Sequence, residues 1–454
     1  MPYYVPMATI SEALARFVAG LRWQDIPPEV AQRARHLILD AVGCALAARS
    51  FHFSKVSLDA ISVLAGKGES VVIGQSEGLP LRDAVLANGI LAHGLDYDDT
   101  HSEGIAHLTV ATFPAALGVA HEQERSGKDL LLAYIAGVEA GARLASVAKG
   151  AFHQIGFHPT SVIGTFSSAL AAGRLYSLNE TQLAHAQGVA LSTAAGSLEF
   201  LEDGAWTKRF HAGWAGVGGI TAAAMARGGF IAPLAAYEGR FGLFNAYLKQ
   251  EVDLRRATAG LGKTWELMNV AVKPFPACHF AHAFADAALA VREKCDIRKV
   301  KRVTALVPEG IVMVVCEPAG AKRRPANEYD AKFSIPYIVA ASLVRGRFSL
   351  AELEDAALRD REILALAEKV DYRIDPKSTF PRHFGGGLVV STEDGKELRH
   401  DEPINRGSAD RPLSNADVVG KFMQNAGSAR VRDAILALDG MENLSKLSEA
   451  LRRP

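Results

Sequence analysis

The chain is 454 residues long, 49% hydrophobic and 22% charged, which is the composition of an ordinary globular protein with room for more than one domain. Its 50 lysines and arginines balance 50 aspartates and glutamates. This balance argues against the broad positive surface of a nucleic-acid-binding protein and against a polybasic membrane anchor.

Cysteine content and apolar runs indicate the compartment. The four cysteines form no CxxC pair, so neither a disulfide framework nor a zinc site is expected, and a reducing cytoplasm fits them. The first seven residues have neither the basic nor the apolar region of a signal peptide, and no apolar run approaches the roughly 18–20 residues of a membrane span. We therefore expect a soluble, cytoplasmic protein without a membrane partner.

The chain up to about residue 266 has the apolar spacing of successive helices. Apolar residues recur at helical intervals over 10–21 and 30–45, and Ser126 with Asp129 forms a capping box for a helix over 130–147. The stretch over 161–175 is rich in glycine, alanine and serine, which allow helices to approach closely. It therefore predicts a helix in a crowded interior.

Beyond Trp265 the pattern changes. Short segments rich in β-branched residues predict strands over 266–273 and 302–307, and Asp394-Gly395 predicts a hairpin between 388–392 and 396–399. Helical patterns lie at 281–294, 331–343 and 350–370, and a capping box of Ser414 and Asp417 begins further helices.

We therefore predict a mainly α protein with two domains. A large all-helical domain is formed by both chain ends, residues 1–266 and 406–454, and a smaller α+β domain is inserted at 267–405.

The segment His93-Gly-Leu-Asp-Tyr-Asp-Asp-Thr-His101 places three carboxylates within four residues between two histidines. It follows an apolar helix predicted over 81–93, so the acids should lie near the core and need a metal, basic side chains or backbone amides. Three interpretations stay open: a solvated turn, magnesium chelation as in all-helical terpene synthases, and proton transfer in which an aspartate orients a histidine or lysine.

Imidazole and ammonium groups elsewhere favour proton transfer. His107 lies at the predicted start of a helix, and His158 precedes a proline at the start of the small-residue helix, where the neutral imidazole is favoured. Lys208, Arg209 and His211 lie together before another helix.

A second basic group follows the first predicted strand of the inserted domain: Lys273, then Cys278, His279 and His282. Together with the acidic segment, these groups predict a pocket for an anionic substrate, with a base and an electrophilic clamp. A phosphate-binding P-loop is not expected, because Ala257 stands where its first glycine belongs.

Five motifs, in one order over nearly the whole chain, resemble the MmgE/PrpD family. They are His93-Gly-Leu-Asp-Tyr-Asp-Asp-Thr-His101, Gly156-Phe-His-Pro-Thr160, Thr207-Lys-Arg-Phe-His-Ala-Gly-Trp214, Lys273-Pro-Phe-Pro-Ala-Cys-His279 and Asp330-Ala-Lys-Phe-Ser-Ile-Pro-Tyr337. The resemblance implies a homodimer whose subunit has a helical domain and an α+β lid with the active site between them. It also implies that no metal and no cofactor is used.

Carried over residue by residue, the resemblance implies a set of site residues. The catalytic ones would be Asp96, Thr100, His107, His158, Lys208 and Lys273. Substrate binding is expected from Lys208, Arg209, Lys273 and His279, which would hold a small di- or tricarboxylate. The implied chemistry is proton transfer at the carbon next to a carboxylate, with a histidine as base and the lysines stabilising the enediolate.

The reaction within the family is predicted less closely. A lyase of 2-methylcitrate dehydratase type leads, and an epimerase of iminodisuccinate type using the same residues is the alternative. Decarboxylase members carry a tyrosine where an ungapped count here gives Ala319, so cis-aconitate-type decarboxylation is less favoured. Leu108 stands where many members have a proline after the histidine equivalent to His107.

Two further interpretations assign the chain to other classes of protein. A magnesium-dependent terpene synthase would need a second metal motif, and no convincing NSE or DTE sequence is found. A non-catalytic scaffold would not need both lysines and both histidines.

Overall fold

The computed structural model describes residues 8–248 and 250–454. The chain is 58% helical and its sheets are small, so the predicted mainly α fold class is confirmed. The prediction that no signal peptide is present concerns residues 1–7, which lie outside the described residues.

The chain forms two compact units. One unit runs up to Val272 and also includes Ser414–Pro454, and the other is Lys273–Leu413. The boundaries predicted from the sequence, 266/267 and 405/406, lie a few residues before these divisions.

The first unit is helical. Its longer helices are Ile10–Gly20, Pro28–Ala48, His52–Leu64, Leu81–His93, Thr109–Glu122, Gly127–Ala148, Pro159–Leu175, Glu180–Ala190, Thr207–Arg227, Asn415–Ala426, Ala429–Leu436 and Ser445–Arg452, and two short ones are Ala151–Gln154 and Phe200–Asp203. The capping boxes predicted at Ser126 and Ser414 are present, and Asn179 forms another; each side chain accepts a hydrogen bond from the backbone amide three residues on.

Small residues bring the central helices into close contact. The predicted small-residue helix is observed as Pro159–Leu175, and nearly all of it is buried. A Cβ atom added at Gly219 would lie 2.4 Å from Cβ of Ser168, and one added at Gly89 would lie 2.4 Å from Cα of Gly213. The helices that carry Lys208 and the acidic segment can therefore meet at backbone distance.

One helix, Gly127–Ala148, has the length and mean hydropathy of a membrane span, and its apolar stretch is entirely buried inside the protein. This helix contradicts the expectation that no apolar run approaches the length of a membrane span. Its interior charges, Glu139 and Arg143, form a buried ion pair at 2.6 Å, which suits a core helix.

The second unit is built on a four-stranded sheet. Its strand order is Val370–Ile374, Val300–Val307, Gly386–Thr392, Glu397–Glu402. The first pair is parallel and the other two pairs are antiparallel, so the hairpin predicted around Asp394-Gly395 is confirmed. The helices of this unit are His282–Arg292, Val312–Val315, Ala319–Arg323, Glu328–Lys332, Ile335–Arg345, Asp355–Leu358 and Arg361–Ala367.

Two predicted elements are wrong. The strand predicted over 266–273 is reduced to Val270–Ala271, because Glu266–Asn269 forms a 3₁₀ turn in which the Leu267 amide donates to Glu139. The helix predicted over 350–370 is divided into the short helical segments Leu350–Leu353, Asp355–Leu358 and Arg361–Ala367, the last of them capped by Asp360, and Val370 begins a strand. At 266–273 a hydrogen bond to a residue far away in the sequence outweighs the β-branched pattern, and at 350–370 a local cap outweighs the apolar spacing.

Candidate active site

The acidic segment is buried from residue 93 to residue 101, directly after the helix Leu81–His93. Asp96 has a φ of +53°, in the left-handed region that residues other than glycine rarely adopt. Thr100–His101 then pairs with Val270–Ala271 as a short antiparallel ladder. The solvated-turn interpretation is therefore wrong, and the three acids need partners inside the protein.

Asp96 is paired with Lys208. The Lys208 ammonium lies 2.9 Å from Oδ1 of Asp96, and both side chains are largely buried. The same carboxylate oxygen lies 4.0 Å from Nε2 of His107. Lys208 stands in the first turn of the helix Thr207–Arg227, whose close approach to the helix Leu81–His93 brings the two charges together.

Asp98 contacts two histidines. Its carboxylate lies 2.9 Å from Nδ1 of His107 and 3.1 Å from Nδ1 of His93. Oγ1 of Thr100 lies 3.3 Å from the same Nδ1 of His107. The backbone amide of His107 donates to Oγ1 of Thr160 at 3.0 Å, which fixes the loop that carries the ring.

The two imidazoles keep Asp98 ionised. Complete burial by itself would raise the pKa of Asp98, but the charges and hydrogen bonds of His93 and His107 outweigh it and hold that pKa well below its ordinary range. An ionised Asp98 can stabilise a positive charge on either ring.

This contact fixes how His107 can act. A neutral His107 that donates Nδ1–H to Asp98 carries its lone pair on Nε2. That nitrogen is on the side of Asp96 and Lys208, at 4.0 Å from the Asp96 oxygen. His107 is therefore arranged to accept a proton at Nε2, with Asp98 stabilising the imidazolium that results.

His158 and His211 form a second, uncharged histidine pair. Their Nδ1 atoms lie 3.0 Å apart, and the His158 ring stacks on His93 with centroids 5.6 Å apart. Burial, followed by the charges of His93 and Lys208, lowers the pKa of His158 well below its ordinary value and that of His211 to about 4. Both rings are therefore neutral near pH 7, as expected for a histidine at a helix N-terminus.

Asp99 faces a different environment. Its carboxylate accepts a hydrogen bond from the Thr109 hydroxyl, which itself lies 2.7 Å from the hydroxyl of Tyr134. Burial, together with the charges of Asp98 and Asp40, raises the pKa of Asp99 to about 8. Asp99 is therefore largely protonated at pH 7 and belongs to the core.

The structure brings five of the predicted residues together in the first unit: Asp96, Thr100, His107, His158 and Lys208. The Arg209 guanidinium lies 4.0 Å above the Phe53 ring and is buried. Lys273 and His279 belong to the second unit, where both are buried and Nδ2 of Asn405 lies 2.8 Å from Nε2 of His279. The roles assigned to all eight residues stay predictions.

Three members of the cluster, His93, Asp98 and His211, were not among the predicted site residues. Each stands in a motif that the sequence singled out. The signal for Asp98 was its position two residues after Asp96 on a buried segment, where an acid needs a cationic or donating partner. His211 follows Lys208 by three residues, so both lie on one helix face.

The donor atoms of His93, Asp98 and His107 lie within 4.8 Å of one another, close enough to hold a metal ion. Two imidazoles and one carboxylate are zinc ligands rather than magnesium ligands. The three acids have different partners: Lys208, the two imidazoles, and the Thr109 hydroxyl. They therefore do not form the shared carboxylate site that the magnesium interpretation requires.

Comparison with known proteins identifies the family. The MmgE/PrpD N-terminal domain matches residues 12–255, and the MmgE/PrpD C-terminal domain matches residues 275–438. The chain is 28% identical to the cis-aconitate decarboxylase of Homo sapiens, with 99% of this chain and 95% of the relative aligned. It is 25% identical to the cis-aconitate decarboxylase-like protein oryM of Aspergillus oryzae, with 97% of each chain aligned.

A second group of relatives has another activity in its name. The chain is 25% identical to the 2-methylcitrate dehydratase of Salmonella typhimurium, with 80% of this chain and 79% of the relative aligned. The two domain matches cover most of the chain, in the order expected of one protein. The chain belongs to the MmgE/PrpD family.

Proposed function

We propose that this chain is a lyase that acts on a small di- or tricarboxylate by moving a proton at the carbon next to a carboxylate. The observation that carries the proposal is the contact of ionised Asp98 with Nδ1 of His107, beside the pair of Lys208 and Asp96. The names of the relatives, decarboxylases and dehydratases of tricarboxylic acids, support the substrate class.

Lys208 supplies the electrostatic part of the reaction. A proton on carbon next to a carboxylate is very weakly acidic, because its removal leaves a dianionic enediolate. A fixed ammonium group in a site with little water stabilises that charge far more than it would in bulk water. The Asp96 carboxylate, 2.9 Å from the Lys208 ammonium, holds the ammonium in place.

His107 supplies the proton transfer. In a dehydration, Nε2 of His107 takes the proton from carbon, and the electrons of that C–H bond pass into the enediolate. The enediolate then forms the new double bond as hydroxide leaves the neighbouring carbon. The proton on His107 then passes to the hydroxide, so the products are an alkene and water. Asp98 stabilises the imidazolium between these two events.

His158 and His211 contribute polar groups without charge. Both rings are neutral near pH 7, because burial lowers the pKa of His158 well below its ordinary value and that of His211 to about 4. They can therefore donate or accept hydrogen bonds toward substrate oxygens without adding a competing cation.

Dehydration is the reaction we propose first. It starts with the removal of a proton from carbon, and a histidine backed by an ionised carboxylate is the group that accepts one. An epimerase of iminodisuccinate type would use the same first step and return the proton to the opposite face.

Decarboxylation is the second candidate. The relatives that align with nearly the whole chain are named cis-aconitate decarboxylases, which supports it. In that reaction the C–C bond to the carboxylate breaks first, carbon dioxide leaves, and protonated His107 gives its proton to the carbanion. Ala319 argues against this candidate, because the family resemblance implies a tyrosine at this position in decarboxylase members.

A product assay separates these reactions. The purified protein is incubated in D₂O with 2-methylcitrate, citrate, cis-aconitate and iminodisuccinate, and products are followed by NMR and by release of carbon dioxide. A new alkene without carbon dioxide identifies a dehydratase, carbon dioxide identifies a decarboxylase, and deuterium gain with inversion alone identifies an epimerase. No reaction with any of these acids would refute the proposed function.

The matched variants are Lys208→Met and, as control, Lys263→Met, which removes an exposed ammonium of the same unit.

The homodimer, the lid role of the second unit and the cytoplasmic location belong to the same proposal. Light scattering at two protein concentrations would test the dimer.

A further inference from the structure

Lys421 reaches the acidic segment from the other end of the chain. It lies on the helix Asn415–Ala426, after the second unit, and its side chain is 5% exposed. Its ammonium is 2.6 Å from Oδ1 of Asp40 and donates to the backbone carbonyl of Tyr97, also at 2.6 Å. The ammonium also lies 3.8 Å from the centroid of the Tyr97 ring, a cation–π contact.

The Tyr97 carbonyl is the backbone group between the two acids of the site. Asp96 precedes it and contacts Lys208, and Asp98 follows it and contacts His107. Asp96 has a left-handed φ of +53°, a conformation that persists in non-glycine residues only where the surroundings enforce it. Lys421 provides one such constraint, because it fixes the next carbonyl along the chain.

The charges of Lys421 and Asp40 also indicate a role beyond stability. A neutral donor would satisfy a carbonyl, and replacing a buried ion pair by packed apolar residues is often neutral or stabilising. Lys421 and Asp40 are instead a buried ion pair, with side-chain exposures of 5% and 0%. A Lys421 ammonium held by Asp40 defines the position of the Tyr97 carbonyl more closely than apolar packing would.

We propose that Lys421, clamped by Asp40, is a positioning residue of the active site. It fixes the Tyr97 carbonyl, and through it sets Asp96 against Lys208 and Asp98 against His107. Its action is indirect, through the backbone that carries the two acids. This inference rests on the proposed function, because the geometry it maintains is that of the proposed catalytic groups.

The test is a double variant, Lys421→Met/Asp40→Leu, which removes both charges and leaves neither one buried alone. The control is Arg35→Met/Asp439→Leu. That pair, at 2.7 Å, also joins the helix Pro28–Ala48 to the C-terminal segment, and its hydrogen bond joins two side chains outside the segment 93–101. Melting temperature, kcat, KM and the pH dependence of kcat are measured for both variants.

We expect the Lys421 variant to fold with a melting temperature near that of the control variant. Its kcat should fall on the order of 100-fold, the typical cost of a misplaced catalytic group, while KM changes little. The acid limb of its kcat profile should shift, since the contact between Asp98 and His107 is altered. A Lys421 variant with wild-type kcat and an unshifted profile would overturn the inference.

A second readout does not depend on turnover. The proton between Nδ1 of His107 and Asp98 is expected as a downfield proton resonance, which should move or vanish in the Lys421 variant and persist in the control. If the wild-type protein turns over no carboxylate, the proposed function fails, and this resonance alone decides whether Lys421 positions the cluster. If Lys421→Met/Asp40→Leu does not fold, Lys421→Met/Asp40→Asn is measured instead. The kcat with its pH profile and the downfield resonance then decide in the same way.

Discussion

Asp98 lies 2.9 Å from Nδ1 of His107 and 3.1 Å from Nδ1 of His93, entirely inside the protein core. One carboxylate thus orients two imidazoles whose ring centroids are 4.8 Å apart. The pKa of this carboxyl is held well below its ordinary range, against the effect of burial, by the two rings. The acid–base function of the site depends on this contact more than on the acidic character of the segment.

The first prediction concerns Asp98 itself. Asp98→Asn replaces an ionised acceptor by a neutral amide, which has one accepting oxygen instead of two and stabilises an imidazolium far less than a carboxylate does. We expect kcat to fall by about 100- to 10,000-fold, the range for the loss of general acid–base catalysis, with the protein still folded. Steady-state kinetics measure the effect. Asp59→Asn, at an exposed helix position, is the control, and equal rates for the two variants would contradict the assignment.

The second prediction concerns Lys208. Lys208→Met removes the ammonium 2.9 Å from Asp96 and leaves that carboxylate buried without this cation. We expect kcat/KM to fall by about 100- to 1,000-fold, as on removal of one oxyanion-stabilising group. Lys208→Arg should recover part of the loss, because it keeps the charge. A Lys208→Met enzyme as active as Lys263→Met would remove Lys208 from the mechanism.

The third prediction concerns stability and pH. The pKa of Asp99 is raised from 3.8 to about 8 by burial and by the charges of Asp98 and Asp40, so the folded state binds its proton more tightly than the unfolded state does. Its contribution to stability is therefore complete below about pH 4 and is lost as the pH rises toward 8. Each pH unit in this window is worth at most about 1.4 kcal/mol.

Asp99→Asn should therefore be least favourable relative to the wild type at low pH and gain relative stability as the pH rises toward 8. Denaturant unfolding at pH 5 and pH 8 gives the comparison. A stability difference between the two proteins that is the same at both values would show that Asp99 titrates normally in the folded protein.

The fourth prediction concerns the histidine pair. Burial and the nearby charges lower the pKa of His211 to about 4 and hold that of His158 well below its ordinary value, so neither ring should titrate between pH 5 and pH 8. NMR of histidine-labelled protein, assigned with His158→Gln and His211→Gln, measures both rings. A midpoint near 6.5 for either ring would contradict the neutral pair.

Much of the fold was predictable because local signals agreed. Capping boxes at Ser126 and Ser414 and the Asp394-Gly395 turn mark element boundaries through side-chain and turn chemistry alone, and all three are present. The predictions failed at 266–273 and 350–370, where β-branched or apolar spacing was the only signal. At 266–273 the contact between Glu139 and the Leu267 amide, which joins residues far apart in sequence, decides the backbone, and at 350–370 the cap at Asp360 interrupts the helix.

The candidate site was predictable as a set of motifs but not as a set of contacts. Family motifs pointed to Asp96, His107, His158 and Lys208, which the fold brings together. The sequence indicated that a buried acid such as Asp98 needs a partner, but it did not show which of the three acids meets an imidazole, because that depends on the left-handed backbone at Asp96. The contact of Lys421 with the Tyr97 carbonyl joins residues 324 positions apart and has no local signal at all.

The most direct test of the central claim is the exchange of carbon-bound hydrogen in D₂O. Di- and tricarboxylates are incubated with the wild-type protein and with His107→Gln, and the recovered substrates and products are examined by NMR. We predict that the wild-type protein incorporates deuterium next to a carboxylate of at least one acid and that His107→Gln does so at least about 100-fold more slowly. No incorporation by the wild-type protein, or equal rates for the two proteins, would contradict proton transfer by His107.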